Sequence, residues 1–326
     1  MAQLTLLQAI NNALDVQLTN DKSVVVFGED AGFEGGVFRV TAGLQKKHGV
    51  DRVFDTPIAE AAIVGSSLGM AIGGLKPVVE LQFSGFMFPG YNQIVVHLAR
   101  FRNRTRGNYT AGVVIRMPYG GGVRALEHHS EALETLFAHI PGLKLVVPST
   151  PYDAKGLLTA AIKDPDPVIF FEPKKYYRAG KQEVPEDEYI VEIGKANVIQ
   201  EGSDLTVVSW GAALRDVQKA LPNLGQDTSI ELIDLRTIAP MDSKTVVESV
   251  KKTGRLLVVS EQVRTLSIAT ELITRVNEEA FLYLEAPPMR VGGYDITIPL
   301  PKGEFHQALN EKKILNAINA LASYEV

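Results

Sequence analysis

The sequence predicts an α/β protein in two parts, a parallel sheet with helices on both faces followed by a smaller α/β domain. Three features lead there. Short, wholly apolar runs alternate with helix-like repeats, the pattern of strands buried on both faces. A charged, proline-marked stretch breaks the alternation near the middle of the chain. Beyond it a second set of runs resumes. With 326 residues, 45% of them hydrophobic and 22% charged, the chain is long and apolar enough for two core-forming domains.

In chain order, Leu6, Leu7, Ile10, Ala13 and Leu14 recur at helical spacing. No basic segment followed by an apolar core precedes them, so no signal or transit peptide is expected. A strand over 24–27 stops at Gly28-Glu29-Asp30. Val53-Phe54 ends another, with Thr56 as a fitting N-cap and Pro57 at the first helical position after it. Gly73-Gly74 stops that helix, and a strand over 77–81 follows. Strands over 112–116, 143–147 and 167–171 continue the series, with a helix over 151–163 between the last two. This unit is assigned to residues 1–185. Lysines, tyrosines and then acids around Pro185 mark the break between 172 and 196, with 186–200 as the linker. Residues 201–326 form the second domain, with strands over 205–209, 229–233 and 256–260. Its helices fall near 212–222, 243–252, 266–280 and 305–322.

Composition excludes several roles. A net charge of −5 and a pI near 5.8 argue against a polyanion-binding surface. No window approaches about eighteen uninterrupted apolar residues, so no membrane span is expected. The absence of cysteine excludes disulfides, thiolate nucleophiles and sulfur-ligated metals, and it fits a reducing cytoplasm.

The chemistry-bearing candidates lie in the first domain. Glu60 opens an apolar helix whose next residues, Ala61 to Gly74, carry no charge. A carboxylate there is costly without a partner. It stands one position beyond a capping-box acid counted from Thr56, and the plainer alternative is an acid serving the helix dipole. His128 and His129 sit in Gly120-Gly121-Gly122-Val123-Arg124-Ala125-Leu126-Glu127-His128-His129-Ser130, where the glycines permit close approach to a ligand or a sharp turn. Ser130 could cap a following helix and hold His129 at its mouth. An ordinary loop with solvated histidines is the alternative. Zinc is disfavoured, because adjacent histidines do not readily share one tetrahedral ion. Phe83 to Tyr91 is an aromatic cluster after a strand, either core or a surface for a flat cofactor. No Gly-x-Gly-x-x-Gly after a strand, P-loop or Gly-x-Ser-x-Gly elbow occurs.

Eight segments then fall in order along essentially the whole chain: Phe27-Gly28-Glu29-Asp30, Gly35-Gly36-Val37-Phe38-Arg39, Asp55-Thr56-Pro57-Ile58-Ala59-Glu60, the loop 120–130, Pro141-Gly142-Leu143-Lys144, the start of the 151–163 helix, Asp234-Leu235-Arg236-Thr237-Ile238 and Lys252-Thr253-Gly254-Arg255. Together they resemble the beta subunits of the thiamine-diphosphate-dependent decarboxylating component of 2-oxo acid dehydrogenase complexes. The resemblance implies a thiamine-diphosphate-binding fold, with a pyrimidine-binding domain and a transketolase C-terminal-like domain. It implies that Glu60 hydrogen-bonds N1′ of the aminopyrimidine, that Phe86 stacks on it, and that His129 serves the 2-oxo acid and reductive acylation of a lipoyl group. It implies a potassium ion held by Val113, Ala161, Ile162, Asp164 and Asp166, mostly through backbone oxygens.

The diphosphate-binding Gly-Asp-Gly motif of such enzymes is missing here. The resemblance therefore implies that an alpha subunit supplies the diphosphate and Mg²⁺ site, in an α₂β₂ assembly docked on a dihydrolipoyl acyltransferase core. Pyruvate is the expected substrate. Branched-chain 2-oxo acids, acetoin, a non-catalytic scaffold and a self-sufficient transketolase-like enzyme are the alternatives.

Overall fold

The computed structural model describes residues 1–225 and 228–325. In the first domain the strands are β1 (Ala2–Leu4), β2 (Val24–Gly28), β3 (Val53–Asp55), β4 (Lys76–Glu80), β5 (Val114–Tyr119), β6 (Lys144–Val146), β7 (Val168–Pro173) and β8 (Gln182–Val184). The second domain contributes β9 (Asn197–Gln200), β10 (Leu205–Ser209), β11 (Ile230–Asp234), β12 (Thr237–Ala239), β13 (Leu256–Val263) and β14 (Met289–Gly293).

The main sheet has the order β12-β6-β7-β5-β4-β2-β3, and every pair within it is parallel except β12 with β6. Its apolar runs are buried on both faces because alternate residues serve different cores. Val24, Val26, Val78, Val114 and Phe170 pack with helices Leu6–Asn20 and Pro151–Lys163. Val25, Phe27, Val79, Ile115 and Phe171 face the opposite way, in a core that runs on into Val208, Trp210 and Val258 of the second domain. The second sheet, β14-β13-β10-β11-β9, is parallel apart from β9.

Three details differ from the sequence expectation. β9 lies within the span assigned to the linker and pairs with β11, so sheet structure resumes before residue 201. The closing helix is broken: a short turn, Glu304–Gln307, precedes helix Glu311–Ala322, whose start is fixed by Asn310 accepting from Lys313 N at 3.0 Å. Most consequentially, β12 leaves the second domain and pairs with β6, Thr237 opposite Val146. The two domains thus share a sheet.

One polar network sits inside the first domain. Arg116, on β5, donates from Nε and Nη2 to both oxygens of Glu172 at 2.7 and 3.1 Å, and from Nη1 to Glu80 at 2.9 Å. All three side chains are buried, and Tyr177 OH also donates to Glu172. Burial pushes the Glu80 carboxyl up; the two carboxylates hold Arg116 protonated against the same burial. No helix among the described residues is long and apolar enough to cross a membrane.

Candidate functional site

The candidate residues collect at the carboxyl ends of adjacent parallel strands, where ligands bind in open α/β sheets. Glu29 follows β2 and Glu60 follows β3. Phe83 and Phe86 follow β4, the glycine–histidine loop follows β5, and Lys174 follows β7.

Helix Glu60–Ile72 begins at Glu60 itself, with Ala59 in the cap position and no side-chain cap. The expected start at Thr56-Pro57 is thereby corrected: the chain from Thr56 to Ala59 is extended or irregular, and the Thr56 hydroxyl is buried without a partner. Glu60 is 9% exposed. The helix is not buried all round, since Ala61, Ala62 and Ser66 are exposed, so its lack of charge reflects an apolar outer face as well as an inner one. Gly90 brings the backbone of the aromatic cluster against Glu60; a Cβ there would lie 3.1 Å from Glu60 O.

Glu29 is the neighbouring acid. It is buried, its Oε1 has no partner, and burial together with the charges of Glu60 and Asp30 pushes its carboxyl up to about 7. The sign follows from linkage. A raised pKa favours the protonated form in the fold, so this contribution to stability is complete below the ordinary value of 4.5 and lost as pH rises through about 7. Glu29→Gln, neutral throughout, is expected to raise Tm relative to the parent more at about pH 8 than at about pH 5. Equal differences in melting scans at both pH values would refute a buried, repelled acid.

Phe86 and His129 are brought together. Their ring centroids are 5.1 Å apart, and Phe83 packs edge-on against both, at 5.2 Å from Phe86 and 4.4 Å from His129. Gly85 makes this contact possible, because a Cβ there would meet His128 O at 2.0 Å. His129 lies in a short 3-10 turn, Glu127–His129. Ser130 does not cap a following helix: its hydroxyl donates back to Leu126 O at 3.2 Å, and the next helix begins only at Glu134. His129 Nδ1 is buried without a partner. Burial, then Lys174 and His128, lower its pKa, while Glu127 opposes them, so the imidazole favours its neutral form. His128 is exposed.

Four partnerless buried atoms lie along this rim: Glu29 Oε1, Thr56 Oγ1, His129 Nδ1 and Glu131 Oε2. Such atoms are costly unless something else satisfies them, and they suit a group carrying both donors and acceptors. Phe86, half-buried, offers a ring to a flat partner.

The loop proposed for a cation is differently built. Asp164 Oδ1 and Oδ2 pair with Lys144 at 2.7 and 2.6 Å, and Asp166 pairs with Arg102 at 2.6 Å. Both carboxylates are thus committed. Val113 O and Ala161 O each accept one backbone hydrogen bond, which leaves each a second lone pair. The segment fits a cage of backbone oxygens better than one of carboxylates.

Sequence reasoning left Glu29, Phe83, Lys174, Glu261 and Glu304 without roles. For Glu29 a signal existed, its place at the carboxyl end of β2. Lys174, Glu261 and Glu304 come from three distant segments and bear no shared local pattern.

Comparison with known proteins agrees with this layout. The family described as transketolase, pyrimidine-binding domain, matches residues 2–180, and transketolase, C-terminal domain, matches residues 194–313. Relatives called pyruvate dehydrogenase E1 component subunit beta are 62% identical in Acholeplasma laidlawii, over 99% of each chain. In Mycoplasma genitalium the figure is 57% over 98% of each, and in Bacillus subtilis 47% over 99% of this chain and all of the other. A solved structure described as a split-gene transketolase, inactive beta4 tetramer, superposes over the full length of both chains with a TM-score of 0.80 at 19% identity, a likeness of fold alone.

Proposed function

The chain belongs to the pyruvate dehydrogenase E1 component beta subunits, built from a transketolase pyrimidine-binding domain and a transketolase C-terminal domain, and from this premise we propose that it supplies half of a shared active site for oxidative decarboxylation of pyruvate and transfer of the acetyl group to a lipoyl-lysine. The observation that carries the reading is Glu60, a buried carboxylate without a charged neighbour on its own helix, on the same strand-end rim as the Phe86–His129 pair.

Thiamine diphosphate, when bound, supplies the electron sink for loss of CO₂. Glu60 would hold a proton at its carboxyl facing the aminopyrimidine, where low solvation strengthens the hydrogen bond. Phe86 would orient the ring by its face. His129, favoured as the neutral imidazole, would hydrogen-bond the 2-oxo acid and, once charged, donate a proton during acyl transfer. Val113, Ala161, Ile162, Asp164 and Asp166 would hold potassium through backbone oxygens, stiffening the β5 and β7 approaches. An alpha subunit would bring the diphosphate and Mg²⁺ site, in an α₂β₂ assembly on the dihydrolipoyl acyltransferase core, in the cytoplasm and within glycolytic carbon flow.

The test is pyruvate-dependent reduction of an artificial electron acceptor, with thiamine diphosphate and Mg²⁺, by this chain alone and with its alpha partner. Activity is expected only in the mixture, with pyruvate ahead of branched-chain acids. Turnover by the lone chain would remove the shared site. A stable complex inert toward every 2-oxo acid would replace catalysis with a scaffold role.

A further inference from the structure

The triple-glycine loop approaches its own protein rather than empty space. A Cβ at Gly120 would lie 2.5 Å from Glu261 Oε2, one at Gly121 2.9 Å from Glu304 Oε1, and one at Gly122 2.8 Å from Lys175 Cδ. Gly120 and Gly122 also have φ of +78° and +91°, which other residues rarely adopt. Such a run has the largest backbone freedom available to a chain, so something must hold it. Lys174 Nζ, from the end of β7, donates to Gly120 O, and Gly122 N donates to Glu304 of the second domain. Lys174 and Glu304 are both buried; burial pushes Lys174 down, opposed by the charges of Glu261, on β13, and of Glu304, and burial pushes Glu261 up. The Lys174 ammonium also lies 5.9 Å from the Phe83 ring, the ring that packs on His129.

We infer that Lys174 and Glu304 form an interdomain clamp on the Gly120–Gly122 loop, acting as positioning residues that place His129 for acyl transfer. The inference rests on the role proposed above for His129. Neither residue needs to touch substrate. Both act through the backbone that leads from β5 to the histidine, where a misplacement of about 1 Å costs up to about a hundredfold in rate.

The chain has no cysteine, so Val123→Cys, in the loop and partly exposed, gives a unique site for a spin label. The labelled chain is assembled with its alpha subunit and compared with the same chain carrying Lys174→Met or Glu304→Ala. Both are expected to add a fast component to the spectrum and to lower kcat for acetylation of the lipoyl domain about tenfold, with a smaller fall, about threefold or less, in reduction of the artificial acceptor, because His129 would also hydrogen-bond the 2-oxo acid. Lys174→Arg and Glu304→Gln keep a donor and an acceptor, and should return acetylation to within about threefold. Unchanged spectra in both variants overturn the clamp, as does an equal fall in both rates, which marks general loss of structure. His129→Ala separates the premises. If it leaves lipoyl acetylation intact, the role of His129 fails and acyl positioning fails with it, whereas loss of acetylation in His129→Ala with no effect of Lys174→Met or Glu304→Ala overturns the positioning alone.

Discussion

Glu60→Gln is expected to abolish turnover in the assembled complex while leaving assembly nearly intact. The amide keeps the shape of the acid and can still hydrogen-bond, but it cannot exchange a proton at that atom. General acid–base contributions of this kind are worth about a hundred- to ten-thousandfold in rate. Stability should move little, because two small effects oppose each other. The neutral side chain loses a first-turn dipole interaction of about 0.3–1 kcal/mol, and it relieves the repulsion that raises the Glu29 carboxyl. The measurement pairs steady-state turnover with thiamine diphosphate affinity and the mass of the assembly. Retained turnover sinks the proton role; loss of assembly instead makes Glu60 a structural acid.

The second large effect is on folding. Arg116→Met should destabilise the chain by about 3–5 kcal/mol, since it leaves the buried Glu80 and Glu172 carboxylates facing each other without a cation. That is a large share of the roughly 5–15 kcal/mol available to a protein domain. The damage should spread toward the site. Glu80 abuts the loop at Gly36, where a Cβ would lie 2.6 Å from its Oε1, and Tyr177 packs on Phe38, which packs on Phe83. Urea unfolding reads the loss. Glu80→Gln and Glu172→Gln added to Arg116→Met should recover much of it, because the uncompensated charge is what costs most. A midpoint shift worth less than about 1 kcal/mol in the single variant would mean that water reaches the network.

Legibility in the sequence divided along physical lines. β2, β5, β7 and β10 were readable because short, mainly apolar runs leave few other folds even where Arg116 or Thr206 interrupts them, and helices Pro151–Lys163 and Ser243–Thr253 because their caps and periodicity agree. Glu60 stood out through the uncharged residues that follow it. Thr56 misled, since a good capping residue followed by proline describes a helix start that the backbone instead delays to Glu60. Ser130 misled in the same way, turning its hydroxyl back to Leu126. The Phe83–Phe86–His129 contact was out of reach because it depends on the relative height of two strand-end loops. β12 was invisible for a similar reason: three residues assigned to no element between the 229–233 strand and the 243–252 helix gain their strand character from β6.

That borrowed strand changes what the connector between the domains has to do. Ladder hydrogen bonds fix how the halves face each other, reinforced by the Arg236–Asp153 ion pair and by Gly211 N donating to Ser149 Oγ. Residues 185–196 then act as a strap laid on the first domain rather than as a hinge: Gln17 donates to Glu188 at 2.8 Å, Tyr189 stacks on Tyr152, and Val191 is buried in the core that helix Pro151–Lys163 shares. A subunit stitched this way meets its partners as one body, so whatever opens and shuts around the bound reactants must be local loops or a neighbouring chain.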